Sequence, residues 1–263
     1  MSPESVRFDR AADFYDETRG FPPGEDQPIA AMIAQAARLT PFSRVLEVGV
    51  GTGRIALPLA GHAGSIVGVD LARPMLERLR AKRVAEPVRL VEGDVTRLPL
   101  APGAFDAAVA VHVFHLIPGW QSALREVARV LRPGGCLVSG WNEGDRGRGE
   151  SVLWNAWESA VGEITRPNVG VPRERYRTFL ADEGWRPVGD TLAHQYVTTQ
   201  TPQAFLDQAE RRVWSSFWRL SDAELARGLA AVRAAIRDSN MDPRQPLEHV
   251  SRFHVQAFLP PDR

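Results

Sequence analysis

The sequence predicts an α/β fold built on a parallel sheet, and three observations point to it. Short, near-continuous apolar runs alternate with amphipathic helical patterns through the first half of the chain. The first run, Val45-Leu46-Glu47-Val48, meets three glycines spaced two apart (Gly49, Gly51 and Gly53), and a helical pattern begins directly after them. Glu47 with Gly49, Asp70, Asp94, His112 and Trp141 all fall where such runs end. In open sheets with right-handed crossovers, ligands bind beyond the carboxyl ends of the strands, so these residues mark one candidate edge.

Size and charge narrow the field. A chain of 263 residues buries about 70–75% of its unfolded surface and needs no disulfide staple. Its 44% hydrophobic and 24% charged content is that of a globular protein. A formal net charge of +0 argues against a broad nucleic-acid footprint. Lys82 is the only lysine, and arginine supplies the rest of the positive charge, which reads as compositional bias. Cys136 stands alone in an apolar run, so it reads as a small core residue, with no cysteine metal cluster. No apolar stretch reaches the ~18 residues of a membrane span, and the expected location is cytoplasmic.

Taken in order, Phe8, Ala11, Ala12, Phe14 and Tyr15 share one face of a short helix that Pro22-Pro23-Gly24 ends. Ile29–Leu39 is a second helix. The glycine turn follows the first strand, because glycine takes positive φ and lets backbone approach a ligand. Ser65–Asp70 is a second strand with a helix from Leu71 to about Arg83, Pro87–Val91 a third, and Phe105–Val111 a fourth. Trp120–Leu131 is a helix stopped by Pro133-Gly134-Gly135, and Cys136–Trp141 is a fifth strand. Asn142–Glu150, with Asp145, Arg146 and Arg148, reads as a polar loop at the binding edge. Helices are expected at Val152–Val161, Arg173–Glu183 and Pro202–Leu220, with long strands at Trp185–Thr199 and Leu247–Phe258. Ser221 and Glu224 form a capping box opening a helix to about Asp238. Pro58 should cost a helix hydrogen bond.

Several chemistries drop out on motif grounds. The dinucleotide pattern Gly-x-Gly-x-x-Gly would need glycine where Arg54 stands; the third glycine comes early, at Gly53. No Gly-Lys-Ser/Thr phosphate loop and no Gly-x-Ser-x-Gly nucleophile elbow occurs. An adenosyl ligand without phosphates fits better, since Asp70 lies near the interval at which a strand-end carboxylate meets a ribose. At this point the chain resembles the class I S-adenosylmethionine-dependent methyltransferases, of the small-molecule type similar to those of ubiquinone and menaquinone biosynthesis. The resemblance covers about Phe8 to Trp141. It rests on Val45–Gly53, Val69–Leu76, Glu92–Val95 with Leu98-Pro99, Phe105–Leu116 and Val130–Gly135, five motifs in family order.

The resemblance implies a doubly wound, mostly parallel seven-stranded Rossmann-like sheet. One domain would span 1–263: an N-terminal helical flap (1–41), a cofactor core (42–141) and a substrate half (142–263) with a helical lid at about 200–240. S-adenosyl-L-methionine would be the cofactor and S-adenosyl-L-homocysteine the product. Gly49, Gly51, Thr52 and Gly53 would line its methionyl and ribose parts, and Glu47 would reach its amino group. Asp70 would take the ribose hydroxyls. Leu71, Met75, Gly93 and Val95 would surround the adenine while Asp94 accepts from its amine; Asp94 could instead simply cap the next turn. Val111 and His112 would close the methionyl side, and Tyr15 and Arg19 of the flap would cover the carboxylate. No metal ligand is implied.

Methyl transfer to a hydroxyl also needs a base. By position His115, His112 and Glu143 are candidates, with Tyr196 more distant; His115 could equally be a packing residue. Strand four ends in Ala110-Val111 rather than an acid, and no Asn/Asp-Pro-Pro-Tyr/Phe or Pro-Cys motif follows, so a small-molecule acceptor remains. Trp214, Phe217 and Trp218 would make that acceptor apolar or aromatic if they form a lid; packing onto the sheet is the other reading. The expected assembly is a monomer or homodimer. A non-catalytic cofactor sensor, or a methyltransferase acting on a macromolecule, stays open.

Overall fold

Residues 9, 12–145, 147–162 and 176–261 are described by a computed structural model of the chain. Phe8, Ala11, Arg146 and Arg173 lie outside the described residues. In chain order the elements are α1 (Tyr15–Arg19), α2 (Asp26–Ala37), β1 (Arg44–Val48), α3 (Ala56–Leu59), β2 (Ser65–Asp70), α4 (Arg73–Lys82), β3 (Val88–Glu92), β4 (Phe105–Val111) and α5 (Trp120–Val130). There follow β5 (Leu131–Asp145), α6 (Gly147–Val161), α7 (Tyr176–Asp182), β6 (Arg186–Gln200), α8 (Pro202–Glu210), α9 (Asp222–Asp238) and β7 (Leu247–Leu259). The seven strands form one sheet in the order β3-β2-β1-β4-β5-β7-β6.

The sheet is mostly parallel, as the sequence predicts. β1 pairs in parallel with β2 and with β4, and the same sense extends to β3 and β5. Val45, Leu46 and Val48 are fully buried because a central parallel strand is covered on both faces. Side-chain bonds join Thr191 to Gln256, Gln195 to Arg252 and Thr198 to His249. Numbers rise along β6 as they fall along β7, the pattern of an antiparallel pair.

The chain divides into two compact units. The first holds Met1–Asn142, Asn168–His194 and Phe253–Arg263; the second holds Glu143–Pro167 and Gln195–Arg252. In the first, α5 lays Trp120, Leu124, Val127 and Val130 against Leu46, Val48 and Phe105, with Leu180 of α7 and Trp185 in the same cluster. The second has its own core, in which Leu153 and Trp157 of α6 meet Phe205 of α8, Phe217, and Leu229, Val232 and Ile236 of α9. Trp157 stacks on Phe217 with ring centroids 4.4 Å apart. The 200–240 stretch therefore buries Phe217 within this core, and the Trp218 indole donates to the Arg212 carbonyl at 2.8 Å.

Gly228 of α9 faces the same tryptophan. An added Cβ would lie 2.7 Å from Trp157 ring carbons. Alanine in a helix interior usually gains about 1 kcal/mol over glycine. Here overpacking should reverse the sign, and Gly228→Ala is expected to cost ~1–3 kcal/mol by urea denaturation. A stabilised variant would show that the indole yields.

Several boundaries differ from expectation. Asn142–Glu150 is not a loop: β5 continues to Asp145 and α6 begins at Gly147. Pro133-Gly134-Gly135 does not separate helix from strand but lies inside β5. There the pairing with β4 slips between Phe105↔Leu131 and Ala107↔Cys136, as in a bulge. Pro133 has no N–H to give the ladder, and Gly134 takes φ 78°. The expected Pro202–Leu220 helix breaks after Glu210, where Arg212 turns left-handed (φ 53°), and resumes as a 3₁₀ turn at Ser215–Arg219. The helix after the glycine turn is only Ala56–Leu59. Pro58 sits in its first turn, where N–H groups have no intrahelical partner, so it costs nothing there. The Ser221–Glu224 capping box is present, both ways.

Candidate cofactor site

The site begins where β1 stops. Glu47 lies between Gly68 of β2 and Val109 of β4, and its side chain is 3% exposed. Among the described residues its Oε2 has no hydrogen-bond partner. Burial pushes this carboxyl well above the usual range; the Arg54 charge pulls it back in part, and the Asp70 charge pushes it further up.

The turn is built from the expected glycines, with φ of 69° at Gly49, 54° at Gly51 and 84° at Gly53. Only two of them are demanded by packing. A Cβ on Gly49 would lie 2.6 Å from Val113 Cγ2, and one on Gly53 would strike Leu79 of α4. At Gly51 the nearest atom would be Met75 Cε at 3.4 Å, an ordinary contact. At Gly49 and Gly53 packing against protein already requires glycine; at Gly51 it does not.

Asp70 ties this turn to the next strand end. Its Oδ2 accepts from Gly51 N and its Oδ1 from Ala72 N, both at 2.8 Å. Burial still holds this carboxyl above the ordinary aspartate value, against the pull of those backbone donors. Leu71 follows, half-buried, and Met75 is buried with Ala72 and Ala12, with Tyr15 packed against them. Gly93 N donates to the Asp70 carbonyl at 3.0 Å, which places the ends of β2 and β3 side by side. Asp94 caps the 3₁₀ turn Val95–Arg97, its Oδ1 accepting from Thr96 N at 2.8 Å, and Val95 is buried. Val111 ends β4, half-buried.

The candidate bases are placed differently. His112 takes φ 53°, a strained conformation for a residue with a Cβ, and its ring meets Phe253 edge-on at 6.4 Å. His115 is half-buried in the 3₁₀ turn Phe114–Leu116. Glu143 is exposed on the far end of β5 and belongs to the second unit, and Tyr196 is buried.

Sequence reasoning missed two groups. Around α1, Thr52 Oγ1 donates to Asp16 Oδ1 at 2.5 Å, and Lys82 Nζ lies 2.8 Å from both Asp16 oxygens. Arg54 Nη1 donates to the Arg19 carbonyl at 2.8 Å, with its guanidinium 4.7 Å over the Phe21 ring. These contacts span tens of residues, so no local pattern announces them; the solitary lysine was the available hint. Within the second unit, Trp154 Nε1 donates to Glu150 Oε1 at 3.1 Å. Glu150 Oε2 lies 3.0 Å from His249 Nδ1, and Thr198 Oγ1 contacts the same ring.

The family described as "Methyltransferase domain" matches residues 46–139. An uncharacterized protein of Mycobacterium bovis is 31% identical over 161 residues, 60% of this chain, and the chain spans 58% of that relative's length. An uncharacterized methyltransferase of Mycobacterium tuberculosis is 31% identical over 242 residues, 90% of each chain. A demethylmenaquinone methyltransferase of Mycolicibacterium vanbaalenii is 37% identical over 132 residues, 50% of this chain and 56% of that one. Among solved structures, a phosphoethanolamine N-methyltransferase of Haemonchus contortus in complex with S-adenosylhomocysteine aligns with TM-score 0.52 at 17% identity. That alignment covers 97% of this chain and 58% of the other, and shows a shared fold. With the glycine turn, the strand-end acids and a relative matched almost end to end, this chain belongs to the class I S-adenosylmethionine-dependent methyltransferases.

Proposed function

We propose that this protein moves a methyl group from S-adenosylmethionine to a small-molecule acceptor, leaving S-adenosylhomocysteine. The observation that carries the reading is the Glu47 carboxyl, buried at the strand end with one oxygen unpartnered. A buried carboxylate is costly without a cation or donor beside it, and an ammonium group would supply both. Asp70 fits the ribose, because its two oxygens are already aimed by Gly51 N and Ala72 N and keep further acceptor capacity. Asp94 would meet the adenine amine through Oδ2, since Oδ1 is committed to its cap. Leu71, Met75 and Val95 would give the ring apolar contact. Tyr15 and Arg19 of α1 would cover the carboxylate end.

When bound, the sulfonium supplies an electrophilic methyl group, so the chain's own part is alignment, exclusion of water and handling one proton. For a hydroxyl acceptor, His112, His115 and Glu143 remain candidate bases. Similarity to a demethylmenaquinone methyltransferase favours phenolic and quinol acceptors within the small-molecule class. A lid role for 200–240, one methyltransferase domain over the chain and a monomeric or homodimeric state belong to the same proposal. Among the described residues no helix is long and apolar enough to cross a membrane.

The test is incubation with S-adenosylmethionine and a panel of phenols, quinols and carboxylates, reading adenosylhomocysteine by mass spectrometry. Acceptor-dependent product is expected. Tight cofactor binding with no transfer to any acceptor would favour a sensor, and absence of binding heat with either cofactor form would remove the cofactor assignment.

A further inference from the structure

Helix α1 is five residues long and buries none of them. A helix that short cannot hold itself in water, since nucleation costs more than one turn returns. It is instead fastened by polar contacts to the elements that build the cofactor site. Asp16 accepts from Thr52 Oγ1 of the glycine turn, and Thr52 is 1% exposed. The same carboxylate pairs with Lys82 at the last position of α4, side chains 45% and 35% exposed respectively. Arg78, one turn earlier on α4, pairs with Asp13 just before α1, and Arg54 from the glycine turn holds the carbonyl of Arg19. Between these ties, Tyr15 lies against Ala72 and Met75.

An exposed ion pair alone contributes little, often nothing measurable. Asp16 differs because one of its partners is a buried hydroxyl on the turn itself. It joins three elements: the flap, the glycine turn and α4. We infer that Asp16 is a positioning residue, fastening α1 over the glycine turn through Thr52 and Lys82, so that cofactor binding and shielding of Lys82 report one closure. This rests on the cofactor reading above. By linkage, a ligand that binds better under the fastened flap must strengthen the fastening to the same degree.

The chain offers an unusually clean probe, since Lys82 is its only lysine. Amine acetylation, followed by peptide mass spectrometry, therefore addresses one side chain besides the terminal amine. Saturating adenosylhomocysteine is expected to slow Lys82 acetylation several-fold. Asp16→Asn should abolish that protection and raise the adenosylhomocysteine Kd about tenfold, while far-UV circular dichroism stays native. Thr52→Val, which keeps the buried shape but removes the hydroxyl, should do the same without touching the lysine pair. Two results would overturn the inference: binding heat in the wild type with an unchanged acetylation rate, or Asp16→Asn with wild-type Kd. A wild type without binding heat is a separate outcome, which sinks the cofactor reading and this one with it.

Discussion

Asp70→Ala is expected to weaken adenosylhomocysteine binding by about a hundredfold or more in titration calorimetry. Two losses add at this position. The ribose hydroxyls lose a charged acceptor, and such hydrogen bonds contribute ~1.5–3 kcal/mol each. The turn itself also loosens, because Gly51 N and Ala72 N both donate to this side chain. Asp70→Asn separates the two. Its amide presents an NH₂ to one of those backbone donors, so it too should weaken binding, though by less than alanine. Wild-type affinity in Asp70→Ala, with an unchanged melting profile, would show that the acid at the end of β2 does not hold the cofactor.

The second large effect has opposite signs for stability and for binding. Glu47→Gln is expected to raise the melting midpoint of the ligand-free protein near neutral pH by about 3–6 °C, for ~1–2 kcal/mol. Burial raises the folded carboxyl well above its usual range, whereas in the unfolded chain it titrates near ~4.3. Below that value both states are protonated and the group costs nothing. As pH rises toward the folded pKa, the unfolded state ionises first and the wild type loses stability. The advantage of glutamine should therefore vanish in acid and grow toward neutrality. Binding should fall at the same time, because glutamine offers an ammonium group no charge. An ammonium beside Glu47 lowers its pKa, so the wild type should release protons on binding. Calorimetry in buffers of different ionisation enthalpy would detect this, and Glu47→Gln should not show it. Equal heats for the wild type in both buffers would contradict the ionic role.

What was legible in the chain was local. The turn at Gly49–Gly53, the strand-end acids Asp70 and Asp94 and the Ser221–Glu224 box are each written within a few neighbouring residues, and all lie where the sequence puts them. Even so, the reasons differ in part. Gly49 and Gly53 answer to Val113 and Leu79, side chains from distant elements, and a spacing pattern cannot tell a ligand from a protein neighbour. The Lys82–Asp16 pair was invisible for the same reason, since it joins positions 66 apart. Pro133-Gly134-Gly135 reads locally as a stop, yet a bulge accommodates the same residues inside a strand once β4 is alongside. The second unit was least legible. Its aromatic residues show helical spacing, but spacing does not say whether Trp157 meets Phe217 or solvent.

The interleaved connectivity of the two units sets which partners of each core leave the ribosome early and which late. Strands β1 to β5 pair through crossovers completed by Asp145, so the parallel pairings of the sheet are available early in synthesis. Helix α6 leaves the ribosome next with Trp157 and Leu153 uncovered, and its partners on α9 start only at Asp222. Closing so long a loop is slow, and apolar surface stays open meanwhile. The aromatic unit thus has longer loops to close than the parallel strands, whose pairing partners lie nearer along the chain.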